Sequence, residues 1–293
     1  MSVFDTNGNA LTDVYGADGT GLNYAYDVDG NIVYQKTPIN LKIMTYNVGG
    51  WRIGSGTNVP ADYDAQYYAL QNVIIGNQDA DILCLQEYWD AFSPNRTAQS
   101  LLSQYYPYIH TEQGNTTYWG HAICSKYPIV SYIRHTYTND TARYYDTAVV
   151  NVDGRMISVI NTHLGLTTDV RVVQAQELRS YIATLDEFIL CGDFNTTYAM
   201  GTSGEESEEY TTVWLPFIQA GCHLANCSDE NGFHGTYWNY ERLIWRNLDN
   251  IVVSADSTID AVWTDQTKVT NPVTADPDWR RDHIPLIAEV TIE

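Results

Sequence analysis

Six apolar, strand-like runs in this chain meet a polar residue at one end, and which end it is dictates how the runs can lie together. "KIMTYN", "ILCLQE", "ISVINTH" and "ILCGDFN" finish on Asn47, Glu87, His163, and Asp193 with Asn195. "DNIVVS" and "DHIPLIAEV" begin instead on Asp249 and on Asp282 with His283. Runs this apolar suit strands buried on both faces. All six polar sets can share one edge only if the last two strands run opposite to the first four. The expectation is therefore mixed or antiparallel sheets, not a doubly wound parallel one.

Taken singly, each polar residue has a plain explanation as a turn former, a strand-start cap, a surface carboxylate or a core histidine. Six coincidences of the same kind are hard to obtain from caps alone. Helical patterns separate the runs: about Asp62 to Ile75, Arg96 to Tyr105, a stripe of Val172, Ala175, Leu178, Ile182 and Leu185, and a segment from about Glu208 to a C-cap at Gly221. "YYDTAVVNV" and "RMISVINTH" are joined by "DGR", a tight hairpin turn. Gly192 lets the chain turn sharply after "FILC", leaving Asp193 and Asn195 at the exit.

The 293 residues suffice for one large α/β domain or two small ones, with ample material for a core. Fifteen Lys and Arg against 36 Asp and Glu give a net charge of -21, so nonspecific retention of nucleic acid is not expected, although a local cationic site plus bound metal can offset that field. No apolar run is long enough for an integral membrane segment, and no secretory signal begins the sequence. Cys84, Cys124 and Cys191 sit in apolar runs as buried thiols, while Cys222 and Cys227 fit a loop disulfide or two free thiols better than a zinc site. Residues 1–39 differ in texture: Asn-Gly and Asp-Gly steps mark short hairpins, "FDTNGNAL" and "YDVDGNIV" form a weak repeat, and "DVDGN" lacks the later Glu of a calcium loop. They read as a small β appendage for attachment, similar to repeats on phage or gut-bacterial surface proteins. A soluble monomer is the expectation; the sequence leaves its location open, secretion or surface association included.

"TYNVGG", "LQE", "GHAICSKYPI", "NTHL", "GDFN", "LDNIVVS" and "RDHIPLIAEV", in this order, resemble the endonuclease/exonuclease/phosphatase superfamily over roughly residues 40 to 293. The resemblance implies an α/β (α+β) fold, a four-layer α/β/β/α sandwich of two mixed β-sheets, which agrees with the strand directions. It departs from the family pattern at Asn250, where an aromatic is usual, and at Arg281, where a small hydroxyl residue commonly precedes Asp-His.

Phosphodiester hydrolysis needs a nucleophilic water and stabilisation of charge on phosphorus and on the leaving oxygen, and a hard divalent cation with oxygen ligands supplies the latter. Glu87, with Asn47 and Asp282, forms the expected ligand set for Mg²⁺ or Mn²⁺. By similarity to the family, Asp193 orients or deprotonates water, Asn195 holds water and phosphate in register, Asp249 fixes a cationic His283, and His163 donates to the same oxygens. Arg143 and Arg171 are candidate phosphate contacts, with a solvated helix face as the other reading of Arg171. The function expected is metal-dependent phosphoester hydrolysis, foremost a nuclease of DNase type on DNA or RNA, with sphingomyelinase-like or inositol-phosphate phosphatase activity as the alternative. Outside that class stand a glycoside hydrolase, which needs two carboxylates and no metal, and a noncatalytic binding protein.

Overall fold

The structure is a computed structural model that describes residues 3–4, 10–14, 24–26, 32–35, 37–49, 63–88, 91–93, 96–112, 120–140, 142–197, 210–226, 234–239, 244–265 and 283–293. Four short strands, β1 (Val3–Phe4), β2 (Ala10–Val14), β3 (Tyr24–Tyr26) and β4 (Ile32–Gln35), pair in that order. Next come β5 (Ile39–Asn47), α1 (Tyr63–Gly76), β6 (Ile82–Tyr88), β7 (Ala91–Ser93), β8 (Arg96–Thr97), α2 (Ala98–Leu102), β9 (Tyr108–Glu112) and β10 (Gly120–Ser125). They are followed by β11 (Ile129–Thr136), β12 (Tyr144–Val152), β13 (Arg155–His163), α3 (Thr168–Ile182) and β14 (Phe188–Asp193). A π-helical turn at Tyr210–Trp214 runs into α4 (Leu215–Gln219). The last elements are β15 (His223–Leu224), β16 (Tyr237–Asn239), β17 (Ile244–Arg246), β18 (Asp249–Val253), β19 (Ser257–Thr264) and β20 (Leu286–Ile292).

Two six-stranded sheets carry the fold, in the orders β19-β20-β5-β6-β10-β9 and β11-β12-β13-β14-β18-β15. Each is mixed. In the first, β5 and β6 are parallel and β20 runs against β5; in the second, β13 and β14 are parallel and β18 runs against β14. The two strands that begin on polar residues thus run opposite to the four that end on them. Asp193 and Asp249 are direct register partners, as are His163 and Asp193.

Strand alternation sorts the side chains into three apolar cores. Met44 and Tyr46 of β5 and Leu83 and Leu85 of β6 pack on Leu70, Val73 and Ile74 of α1 and on α2. Leu41, Ile43 and Cys84 point the other way, toward Ala148, Val159, Ile189, Cys191 and Ile251 of the second sheet. On the outer face of that sheet, Ile160 and Leu190 meet Ala175, Leu178 and Ile182 of α3 and Phe217 of α4. Three cores separate four layers: helices, sheet, sheet, helices.

The middle core carries polar bridges toward the end where the site forms. The Asn161 amide donates to the Leu85 and Ala122 carbonyls at 2.8 and 3.2 Å, and Gln86 Nε2 donates to Asn161 Oδ1 at 2.7 Å and Thr45 Oγ1 at 3.0 Å. Beside them, His121 Nδ1 lies 2.7 Å from Asp146 Oδ2, again linking the two sheets. At the other end Arg155 clasps Glu187 and the carbonyls of Thr37 and Ile292.

Two local readings are revised. The second helix is shorter than the pattern suggested: Thr97 caps it, with Oγ1 accepting from Ser100 N at 3.0 Å, and Arg96 pairs in β8. Pro107 further disfavours continuation. Gly192 lies inside β14, not at a turn; a side chain there would collide with the Thr162 carbonyl oxygen, so glycine allows β13 and β14 to approach. Of the two states expected at Cys222, the structure has the free thiol, which is buried; Cys227 lies outside the described residues. The Asp-Gly hairpin holds: Asp153 and Gly154 have φ of 52° and 100°, as a type I′ turn requires.

Replacing Asn161 by leucine removes the N–H donors to the Leu85 and Ala122 carbonyls and leaves Gln86 without the acceptor of its shortest hydrogen bond. The expected cost is about 1–3 kcal/mol, read as a lower urea midpoint at unchanged slope. A change below about 0.5 kcal/mol would show that the inter-sheet bridge does not stabilise the fold.

Candidate active site

The inward-facing rows of the middle core end in polar residues at one edge. Ile43 and Thr45 lead to Asn47, Val159 and Asn161 to His163, Ile189 and Cys191 to Asp193, and Val253 and Ile251 to Asp249. Residues two apart along a strand share a face, so each is the next side chain in a row of core residues. Glu87 breaks the rule. Alternation alone would send it toward the helices with Leu83 and Leu85, but its φ of 52° turns the carboxylate into the cavity at this edge. A left-handed backbone at a non-glycine residue costs of order 1–3 kcal/mol and persists only where the surroundings enforce it. Asn195, with φ of 50°, is the second such residue here.

Asp193 is the centre of the cluster and is 1% exposed. Its Oδ2 accepts from Asn47 Nδ2 at 2.9 Å and lies 3.4 Å from His163 Nε2 and 3.5 Å from His283 Nε2. Oδ1 accepts from the backbone N–H of Asn195 at 2.8 Å, and the Asn195 amide donates to the Leu164 carbonyl at 2.9 Å. Burial pushes the Asp193 carboxyl up to about 6; His283 opposes this, Asp249 adds to it, and the Asn195 and Asn47 hydrogen bonds oppose it.

His283 Nδ1 bonds Asp249 Oδ2 at 2.8 Å, which aims Nε2 at Asp193. Asp249 is held in turn: its N–H donates to Thr236 Oγ1 at 3.1 Å, and its carbonyl accepts from Asn226 Nδ2 at 3.0 Å. Asn250, the departure from the family pattern, completes that frame, with Oδ1 accepting from the N–H groups of Asn226 and Ile251 at 2.9 Å each. Arg281 and Asp282 lie outside the described residues.

The cluster forms one wall of a cavity of about 420 Å³. Glu87, His163, Asp193, Asn195 and His283 line it, and so do Arg143 and Arg171; Asn47 and Asp249 sit behind, bonded to Asp193 and His283. Arg143 is buried, which pushes its guanidinium down from the usual range while the carboxylates of Asp193 and Glu87 push it back up. Arg171 is no solvated face residue, being 5% exposed. Its NH1 donates to Leu166 O at 2.7 Å and Gly165 O at 3.3 Å, and its NH2 to Thr168 Oγ1 at 3.2 Å, fastening the segment after β13. Sequence reasoning missed Tyr237, Arg246 and Leu248 on the same cavity. They sit within or just after the aromatic-rich stretch "TYWNYERLIW", whose register no periodicity announces.

The donor set suits a hard divalent cation. Glu87 Oε1 and Asn47 Nδ2 are 3.4 Å apart, and turning the Asn47 amide over to present its oxygen beside the Glu87 carboxylate would break that amide's 2.9 Å bonds with Asp193 Oδ2 and with the Gly49 N–H. Asp193, Asp249 and His283 also bring ligand atoms within 4.8 Å of one another, and Asp249 Oδ1 is buried with no hydrogen-bond partner among the described residues. Using that trio would mean breaking the 2.8 Å Asp249–His283 bond. Either ligand set therefore replaces hydrogen bonds that the metal-free site makes.

A model of the endonuclease/exonuclease/phosphatase family matches residues 44–270, most of the chain. The chain belongs to that family. Membership places it among hydrolases of phosphoesters. A comparison with curated proteins found no match. Among solved structures, a family protein from Bacteroides thetaiotaomicron superposes with a TM-score of 0.62 at 15% identity, over 88% of this chain and 100% of the other. A humanized D. rerio TDP2 gives 0.63 at 18%, over 86% and 98%. The 3'-5' exonuclease NExo from Neisseria meningitidis gives 0.59 at 20%, over 85% and 98%. At these identities the likeness is one of fold, and this family member shares with them the two-sheet frame.

The raised pKa of Asp193 has a sign that can be checked. The folded carboxyl holds its proton up to about 6 and the unfolded one only to its usual 3.8. Between those values the folded state binds more protons, so the stability of metal-free protein falls as pH rises from about 4 to about 6 and stays at the lower level above that. Asp193→Asn is expected to flatten this stretch of a melting-temperature profile recorded in chelator. An unchanged slope would mean that the carboxyl is not what titrates.

Proposed function

We propose that the protein is a divalent-metal-dependent phosphodiesterase, a nuclease of DNase I type, whose reaction centres on Asp193. The observation that carries this reading is the convergence on one buried carboxylate, Asp193, of donors from both sheets: Asn47 from β5, His163 from β13, and His283 just before β20. An acid held in that way orients a water and takes up its proton, and burial, by raising its affinity for a proton, makes it the better base.

When bound, the cation supplies charge stabilisation to the phosphate and its leaving oxygen; Glu87 and Asn47 would hold it, with Asp282 as the third expected ligand. Asp193 directs the attacking water in line with the phosphorus. Asn195, whose own N–H fixes Asp193 Oδ1, keeps that water and a phosphate oxygen in register. Asp249 holds His283 by Nδ1, so that Nε2 donates toward a non-bridging oxygen, and His163 Nε2 donates from the other side. Arg143, beside Asp193 and Glu87, adds positive charge as negative charge builds on the phosphate. We take residues 40–293 as the catalytic domain and 1–39 as an appendage, supported by the pairing of β1 to β4 only with one another among the described residues.

The test is hydrolysis of bis-p-nitrophenyl phosphate with Mg²⁺ or Mn²⁺, followed by plasmid DNA, RNA, sphingomyelin and inositol phosphates. Chelator should abolish turnover and added cation restore it. Asp193→Asn should lower kcat by about 10²–10⁴. Full activity in chelator, or in Asp193→Asn, would overturn the assignment; cleavage of sphingomyelin or inositol phosphates in preference to nucleic acid would replace the substrate class.

A further inference from the structure

Arg246 is the cation on the cavity wall whose role the reaction does not account for. The chain carries 36 acidic and 15 basic residues, so an arginine has acidic partners in excess. Yet among the described residues Arg246 makes no ion pair; its side chain is half-buried, and only Nε is engaged, donating to Thr197 Oγ1 at 2.9 Å. That bond aims the guanidinium and leaves its NH1 and NH2 fork available at the cavity that Asp193 and His283 line. Arg171, by contrast, spends NH1 on loop carbonyls and NH2 on Thr168 Oγ1.

The placement of Arg246 is tied to the catalytic pair. β16 and β17 form a two-stranded ribbon in which Tyr237 and Arg246 are direct partners, so their side chains share a face, and both line the cavity. The ribbon is bonded to the His283 segment: Tyr237 bridges His283, Ile284 N donates to Thr236 O at 2.8 Å, and Thr236 N donates to Arg246 O at 2.9 Å. The Tyr237 ring centre lies 5.0 Å from that of His283. Arg246 thus sits at a set offset from the phosphate that His283 would face. The cavity, about 420 Å³, falls in the range that encloses a whole small ligand, roughly 300–1,000 Å³, and exceeds what a lone phosphate fills.

We propose that Arg246, backed by Tyr237, is a subsite for a second, uncleaved phosphate of the substrate, so that the enzyme selects phosphoesters carrying two phosphates over those carrying one. This rests on the phosphoesterase reading above and adds to it a specificity determinant. A planar guanidinium grips a phosphate through two parallel N–H···O bonds, which makes the offset selective as well as attractive. The second phosphate can be the next one along a nucleic-acid strand or another ester on a polyphosphorylated small molecule.

The experiment compares kcat/KM in Mg²⁺ for two substrate pairs: a thymidine trinucleotide against the dinucleotide, and an inositol bisphosphate against a monophosphate. Wild type should prefer the two-phosphate member of at least one pair by about tenfold or more, and Arg246→Gln should cut that preference roughly tenfold to hundredfold, with Arg246→Lys between them. A preference confined to the nucleotide pair names a strand, and one confined to the inositol pair names a small molecule. Equal loss on both members of a pair, or an undiminished preference in Arg246→Gln, would overturn the subsite. So would a wild type that cleaves bis-p-nitrophenyl phosphate yet shows no preference in either pair, a result that also decides the matter if Arg246→Gln does not fold. Failure of wild type to cleave even bis-p-nitrophenyl phosphate would instead sink the reading of the site, and the subsite with it.

Discussion

A carboxylate buried where two sheets meet is the interaction on which this molecule turns. Asp193 has almost no contact with water, and an ionised carboxylate so placed costs several kcal/mol unless donors surround it. Those donors come from both sheets and from the segment before β20, so the charge is tolerable only while all of them are in place. The site is therefore a property of the packed sandwich. Neither sheet alone could assemble it.

The inter-sheet polar bridges serve the same end. Gln86 and Asn161 stand one residue before Glu87 and two before His163, and their amides join the sheets just inside the cavity. Apolar contacts between sheets are nondirectional and let the layers slide; directed bonds to Leu85 and Ala122 carbonyls set their relation. At the edge itself, two residues, Glu87 and Asn195, have left-handed backbones that aim side chains where regular strands would not.

Much of this was legible because a period of two continues to the last residue of a strand. Asn47, His163, Asp193 and Asp249 are each the next inward position after a core residue, so finding the apolar rows also located the polar ends. Glu87 was found as a strand terminus, but its orientation was not, since it depends on one backbone angle. His121 and Asp146 were passed over because a buried pair across two sheets leaves no local spacing to read. Arg171 was readable as a helix residue, while its burial against the Gly165–Leu166 carbonyls depends on a loop fold no pattern specifies.

By itself, the order of apolar runs and the ends at which their polar residues fall determined the mixed sheets, the shared edge and the candidate residues, because alternation and chain direction are local properties of a strand. Tertiary structure alone decided the raised pKa of Asp193, the turn of Glu87 into the cavity, the amide frame behind Asp249 and the meeting of Tyr237 and Arg246 with His283. Each of those depends on desolvation or on contacts between segments far apart in the chain, and such quantities exist only once the layers have packed.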